Sequence, residues 1–233
     1  MTEKIQPPIA KQIPTQLEKF DDIRTDNYFW LKDRENPEVI DYLNKENEYY
    51  EAMTAHTKDF QKDLFEEMKA RIKEDDESVP YLYNEYYYIT RFEKGKDYPI
   101  YSRKKGSLSA NEEIMFDCNE LAKDHKYFQL SGLSISIDNQ LAAYAVDTVG
   151  RRIYTLQIKN LTTSEILSDT IENTTGNSTW ANDNKTLFYT NQDAKTLRSD
   201  KVLKHKLGTD TATDELIYFE EDDTFDVAVG KEK

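Results

Sequence analysis

Two stretches decide the architecture: ISIDNQLAAYAVD at Ile135–Asp147 and TWANDNKTLFYTN at Thr179–Asn191. Each places an Asp-Asn pair between two runs of apolar and aromatic residues, and Asp138 and Asp183 stand 45 residues apart. Asn and Asp tolerate the left-handed backbone of a tight hairpin turn, so each stretch reads as strand, turn, strand. Each is followed by a further run, IYTLQIKNLTT or KVLKHKLGTD, that ends in another polar turn. A repeat of about forty residues carrying four short strands is the pattern of propeller blades. A β-sandwich with similar turns accounts for the same two copies and stays open on this reading alone.

Outward from the repeat, strand-like runs follow one another closely: YLYNEYYYITRF (81–92), DYPIYSRKK (97–105), EEIMFDCNEL (112–121), LSISI (133–137), LAAYAVD (141–147), IYTLQIKNL (153–161), STWA (178–181), TLFYTN (186–191), KVLKHKLG (201–208) and ELIYFEE (215–221). None is spaced widely enough to alternate with helices, which favours an all-β region. Upstream of Pro80 the pattern changes. Asn36 is placed as an N-cap, with Pro37 at the first helical position and Glu38 in the first turn, so a helix is expected from there to Met53. A second helix is expected from about Thr57, where Phe60, Leu64, Phe65, Met68 and Ile72 recur at helical spacing. The expected organisation is a two-helix arm over residues 1–75, behind a leader broken by prolines, and a β-region over 76–233, divided at the acidic run EDDESVP (74–80). Phe29, Trp30, Tyr49 and Tyr50 are apolar positions the two helices leave open, so the arm is expected to dock on something else.

The chain has 233 residues, a net charge of −14 and 37% hydrophobic residues, with a mean hydropathy of −0.85 and a pI near 4.8. Sixteen Tyr and ten Phe point to a β-rich core rather than disorder. The acidity argues against nucleic acid and anionic membranes, which need a basic patch. No run approaches the length of a membrane span or of a secretory signal, and the cytoplasm is the expected location. The single cysteine, Cys118, excludes an internal disulfide and reads as a buried thiol in the strand run Ile114–Phe116. Asn160, Asn173 and Asn177 fall in N-x-Ser/Thr patterns, which without a secretion signal read as chance matches.

The chemistry is sparse. His56, His125 and His205 are scattered and none neighbours another ligand type at metal spacing. The acidic stretches Glu74–Glu77 and Glu220–Asp223 lack the alternating ligands and central glycine of a calcium loop and read as solvated. There is no G-x-S-x-G elbow, phosphate loop or dinucleotide fingerprint; Gly132–Ser136 lacks the second glycine. No catalytic, cofactor-binding or metal-binding residue is expected in this chain, and no cofactor.

Longer phrases carry more information: DNYFWLKDRENPEVIDYLNKENEYYE (26–51), MKARIKEDDESVPY (68–81), KGKDYPIYSRKKG (94–106), YAVDTVGRRIYTLQIKNL (144–161), DTIENTTGNSTWANDNKTLFYT (169–190) and HKLGTDTATDELIYFEEDDTFDVAVGK (205–231). In this order they resemble the N-terminal segments of the oligopeptidase B (protease II) branch of the prolyl oligopeptidase family, along essentially the whole chain. Details such as KARIKEDDESVPY disfavour the neighbouring branch that cleaves after proline, which stays as an alternative, as does a non-catalytic propeller that binds partners. The resemblance implies the first three or so blades of a seven-bladed propeller behind a helical arm. It also implies a C-terminal α/β-hydrolase domain, lying outside this chain, that carries a Ser/Asp/His triad and cleaves short basic peptides after Lys or Arg. The arm is then expected to dock on that domain and the propeller to cap its active site. Relatives often carry a charged residue where Ile153 precedes Tyr154, so an interdomain ion pair is not expected there.

Overall fold

A computed structural model describes residues 5–232; the first four residues of the leader and Lys233 lie outside the described residues. The chain divides between Lys73 and Glu74 into two compact units.

The first unit holds a hairpin that the sequence reading missed, β1 (Thr15–Lys19) and β2 (Asp22–Asp26), paired from Thr15↔Asp26 to Lys19↔Asp22. Its turn is Phe20-Asp21, both at positive φ, 54° and 61°, without the Asn-Gly or Asp-Gly pair that usually announces such a turn. A 3-10 turn at Phe29–Lys32 leads to helix α1 (Pro37–Thr54). Its cap is the one expected: Glu38 N donates to Asn36 Oδ1 at 2.9 Å, with Pro37 at N1, where its missing N–H costs nothing. Helix α2 (Lys58–Ala70) follows another 3-10 turn. Phe60, Leu64, Phe65, Met68 and Ile72 remain exposed.

The second unit is an antiparallel meander. A four-stranded sheet comprises β3 (Tyr81–Tyr83), β4 (Tyr86–Arg91), β5 (Ile100–Lys105) and β6 (Glu112–Asp117) in sequence order. Strand β6 ends at Asp117, whose side chain caps a one-turn helix α3 (Cys118–Leu121). Cys118 therefore sits on that helix and not in the strand run, because the Asp117 carboxylate accepts from Asn119 N and Glu120 N and ends the pleat. The thiol is buried, as expected.

A seven-stranded sheet follows, again in sequence order: β7 (Gln129–Ile135), β8 (Leu141–Asp147), β9 (Tyr154–Asn160), β10 (Ile166–Trp180), β11 (Thr186–Gln192), β12 (Ser199–Lys206) and β13 (Glu215–Phe219). It is two four-stranded units sharing one long strand. The first part of β10 pairs with β9 from Ile166↔Lys159 to Thr174↔Tyr154. The last part pairs with β11 at Ser178↔Tyr189 to Trp180↔Leu187. Between them the register shifts, at Gly176 with φ 84°. Residues 166–175 were not among the expected strands.

The core of the second unit lies between its successive four-stranded sections. Strand β8 is buried on both faces: Ala142 and Tyr144 join Tyr86, Tyr88, Met115, Phe116 and Phe128, whereas Ala143 and Ala145 join Tyr154, Leu156, Ile158, Trp180 and Leu187. That double burial explains why LAAYAVD shows no polar alternation. Small alanines admit large neighbours, with the Phe116 and Tyr144 ring centroids 4.5 Å apart. Each large core side chain stabilises the fold by about 1.5–3 kcal/mol relative to exposure.

Candidate functional site

The Asp-Asn turns do what their sequence implies, and then more. Asp183 Oδ1 accepts from Lys185 N and Thr186 N, Asp138 Oδ1 accepts from Gln140 N and Ser136 Oγ, and Asn139 and Asn184 sit at φ 61° and 55°. A third turn, Asn84-Glu85 (φ 46° and 70°), joins β3 to β4. The three turns lock together: Asn84 Nδ2 donates to Ile137 O, Asn139 Nδ2 donates to Asn84 O at 3.0 Å, and Asp138 N donates to Asn184 Oδ1 at 3.2 Å. Arg103 Nη1 also donates to Asn139 O at 2.8 Å.

Beside this rim lies a cavity of about 530 Å³. Its walls come from the leading strands of all three units, with Tyr83 and Asn84 from the first, Ser134 and Ile135 from the second and Thr179 and Trp180 from the third. Trp180 Nε1 donates to Ser134 O at 3.0 Å and fixes one wall. Lys231 Nζ donates to Trp180 O at 3.2 Å. Among the described residues, no histidine or cysteine lines this space. The lining offers aromatic faces, amides, hydroxyls and the charged Lys231 and Glu232, which can hold or exclude a polymer. A larger groove of about 690 Å³, beside Asp193, Lys195, Arg198, Asp200 and Asp223, is a loop surface in which Arg198 is spent on the carbonyls of Glu220, Asp222 and Phe225.

His205 departs from expectation. In sequence it looks like one more polar residue among lysines; in the structure it is fully buried. Its Nε2 lies 3.0 Å from Asp169 Oδ1 and its Nδ1 lies 2.7 Å from Asp214 Oδ1. Gly208 N donates to Asp169 at 2.5 Å, and Tyr189 Oη donates to Asp214 at 2.9 Å. Burial, and then the bond to Asp214, push the Tyr189 hydroxyl well above the usual phenol range. The signal was available: Leu203, His205 and Leu207 alternate onto one face, and both leucines pack against the core. The carboxylate partners have no signal of that kind. The other histidines stay apart: His56 Nδ1 lies 3.1 Å from Met53 O, and His125 stacks on Phe128 with centroids 6.2 Å apart. Among the described residues, no three His, Cys, Asp or Glu gather as a cation site, and no helix is long and apolar enough to cross a membrane. Asn160, one of the formal sequons, accepts from Thr162 N and Thr163 N in its own turn.

An arrangement of four-stranded antiparallel units joined at an inner rim and packed face to face is that of a propeller. The family model described as "Prolyl oligopeptidase, N-terminal beta-propeller domain" matches residues 7–233. The chain belongs to the prolyl oligopeptidase family. It is 42% identical over 227 residues to a dipeptidyl aminopeptidase BI of Pseudoxanthomonas mexicana, covering 90% of this chain and 31% of the relative. It is 37% identical to Protease 2 of Moraxella lacunata, covering 96% of this chain and 33% of that protein. Among solved structures, oligopeptidase B from Leishmania major superposes with a TM-score of 0.85 at 33% identity, over 93% of this chain and 33% of that one. The chain thus spans about a third of the length of these relatives, and what it shares with them is an N-terminal propeller segment with a short helical arm. The family relationship, and its oligopeptidase B branch, agree with the resemblance read from the phrases above.

Proposed function

We propose that this chain is the arm and first three blades of a seven-bladed propeller in a longer serine peptidase of the oligopeptidase B type, which hydrolyses short peptides after Lys or Arg. The observation that carries this reading is the likeness to the Leishmania oligopeptidase B across nearly the whole chain at 33% identity. The Ser/Asp/His triad belongs to a C-terminal α/β-hydrolase domain, and the chain alone is inactive. The role of the propeller is exclusion: a rigid ring over the active site admits flexible short peptides and rejects folded proteins, and its movement relative to the catalytic domain gates turnover. The rim of interlocked turns supports that role, because an excluding ring must not part at its seams. The apolar residues left open on α1 and α2, among them Tyr50, Met53, Phe60 and Phe65, supply the arm's docking face for the catalytic domain. The protein works in the cytoplasm.

A second reading has its own support: the 42% identity to a protein named dipeptidyl aminopeptidase favours release of dipeptides from a free N-terminus. A non-catalytic propeller that binds partners is the reading left if no catalytic domain follows. One assay separates the three. The coding DNA is read past Lys233, and the full-length product is given N-blocked Arg, N-blocked Pro and unblocked dipeptidyl reporters. Cleavage of the blocked Arg reporter alone supports the proposal. Cleavage of the Pro reporter, or only of the unblocked one, replaces its specificity, and a stop codon at Lys233 with no activity overturns it.

A further inference from the structure

The three four-stranded units share one register rule. The third residue after each turn asparagine is Tyr87, Ala142 and Leu187, and each faces a residue that can carry positive charge: Tyr87↔Lys104, Ala142↔Lys159 and Leu187↔His205. In the second unit, Lys159 reaches back to the outer strand of the unit before it, where its Nζ donates to Met115 O at 2.7 Å and lies 5.0 Å from the Phe116 ring centroid. In the third unit, His205 does the same with Asp169 on the first part of β10, at 3.0 Å. Two side chains of different chemistry thus occupy one structural position and make one kind of contact, a nitrogen within hydrogen-bond distance of an oxygen on the preceding outer strand.

Lys104 holds that position in the first unit. There, among the described residues, it donates to Leu108 O of its own β5–β6 loop, at 3.1 Å. Its cross-strand neighbour Glu112 is engaged by Arg91 at 2.9 Å. On the same face, Leu82, opposite Tyr87, and Ile114, on β6, are 60% and 53% exposed.

We propose that Lys104 is the seam residue of the first unit, and that its amine bonds an oxygen acceptor on the outer strand of a further blade that covers Leu82, Tyr87 and Ile114. The occupant is a later part of the same polypeptide. This rests on the reading of the chain as the opening third of a longer propeller protein, and it follows from the length of relatives that are about three times as long. It goes beyond that reading in naming the residue that ties the last blade to the first. The other two seams are backed by a continuous chain. The closing seam has no such continuity, so Lys104 bears on whether the ring stays shut.

The test uses the full-length gene product and reads hydrogen exchange by segment. Lys104→Met is expected to speed exchange in residues 86–91 and 100–105 roughly tenfold and to leave the second and third units unchanged, with Lys104→Arg close to the parent. Lys159→Met serves as reference by loosening the seam between first and second units. In the parent, needing no variant, amine acylation should find Lys104 as shielded as Lys159. Unchanged exchange in Lys104→Met, or fast acylation of Lys104, overturns the inference. Hydrolysis of the blocked Arg reporter in the same samples reports separately on the proposed function, so failure of one is not mistaken for failure of the other.

Discussion

The carbonyl oxygen of Gly176 lies 1.6 Å from the point that a β-carbon on Gly132 would occupy. These glycines stand at corresponding places in the leading strands of neighbouring units, at φ 84° and 60°. The two backbones meet where no side chain fits, which is why the units can converge on a common rim.

Gly132→Ala is therefore expected to be among the most damaging single changes in the chain. The methyl group must displace backbone rather than a flexible side chain, and the left-handed φ adds strain of about 1 kcal/mol. Loss of soluble full-length protein, or a fall in the urea midpoint equivalent to about 3 kcal/mol or more, is the expected outcome. Gly150→Ala is the control: a β-carbon there meets nothing nearer than Tyr127 at 3.5 Å, so it should show the backbone strain without the clash.

Removing one member of the Asp169–His205–Asp214 cluster takes a partner from each buried polar group it touched. His205→Ala should cost about 3–5 kcal/mol. In a double-mutant cycle with Asp169→Ala, a coupling energy of about 1–3 kcal/mol is expected, measured from denaturation midpoints. Additive losses would mean that the two side chains do not support one another.

Acid should act through Asp147. Burial alone would raise its carboxyl, but the N–H groups of Val149, Gly150, Arg152 and Arg151 outweigh burial and hold it below the usual carboxylate range. A lowered folded-state value means the stabilisation is present above the unfolded value of about 4 and fades as pH falls through the folded one. Asp147→Asn should therefore cost more stability at about pH 7 than at about pH 3, read as the gap between parent and variant midpoints. A gap that widens on acidification would contradict the sign.

The Cys118 thiol is pushed up to about 12, first by burial and then by the neighbouring Asp117 carboxylate. A thiol held protonated is a poor nucleophile. Native protein near pH 8 should consume almost no thiol reagent, with reaction completing only on unfolding.

The isolated 233-residue chain should associate. All five residues of β13 are exposed, including Leu216, Ile217, Tyr218 and Phe219, on a strand at the end of its sheet. Such an edge templates pairing with another chain. Sedimentation should show mass rising with concentration, relieved by Ile217→Lys; a sharp cooperative melt of a monomer would count against it.

What could be read in the sequence was what depends on local chemistry. The Asn36 cap, the Asp-Asn turns and the apolar run of β8 each involve residues whose conformational preference is written into a few neighbours. The misses have physical causes too. The first part of strand β10 is interrupted by Asp169, Glu172, Asn173 and Gly176, weak strand formers, and is held in place by pairing with β9 before β11 takes over. Cys118 leaves its strand because the Asp117 carboxylate competes for the backbone. His205 acquires its role from Asp169, 36 residues away, a distance over which a single sequence carries no pairing information.

Every strand in the two large sheets pairs with a neighbour adjacent in sequence. Contacts of such short range cost little chain entropy to close, so each strand can dock on its predecessor as soon as it leaves the ribosome. Assembly can then run from the first turn to the last in the order of synthesis. On the seam proposed for Lys104, the face bearing Leu82 and Lys104 is made early and stays wet until the last blade arrives, and that waiting surface is where a chaperone would find the nascent chain.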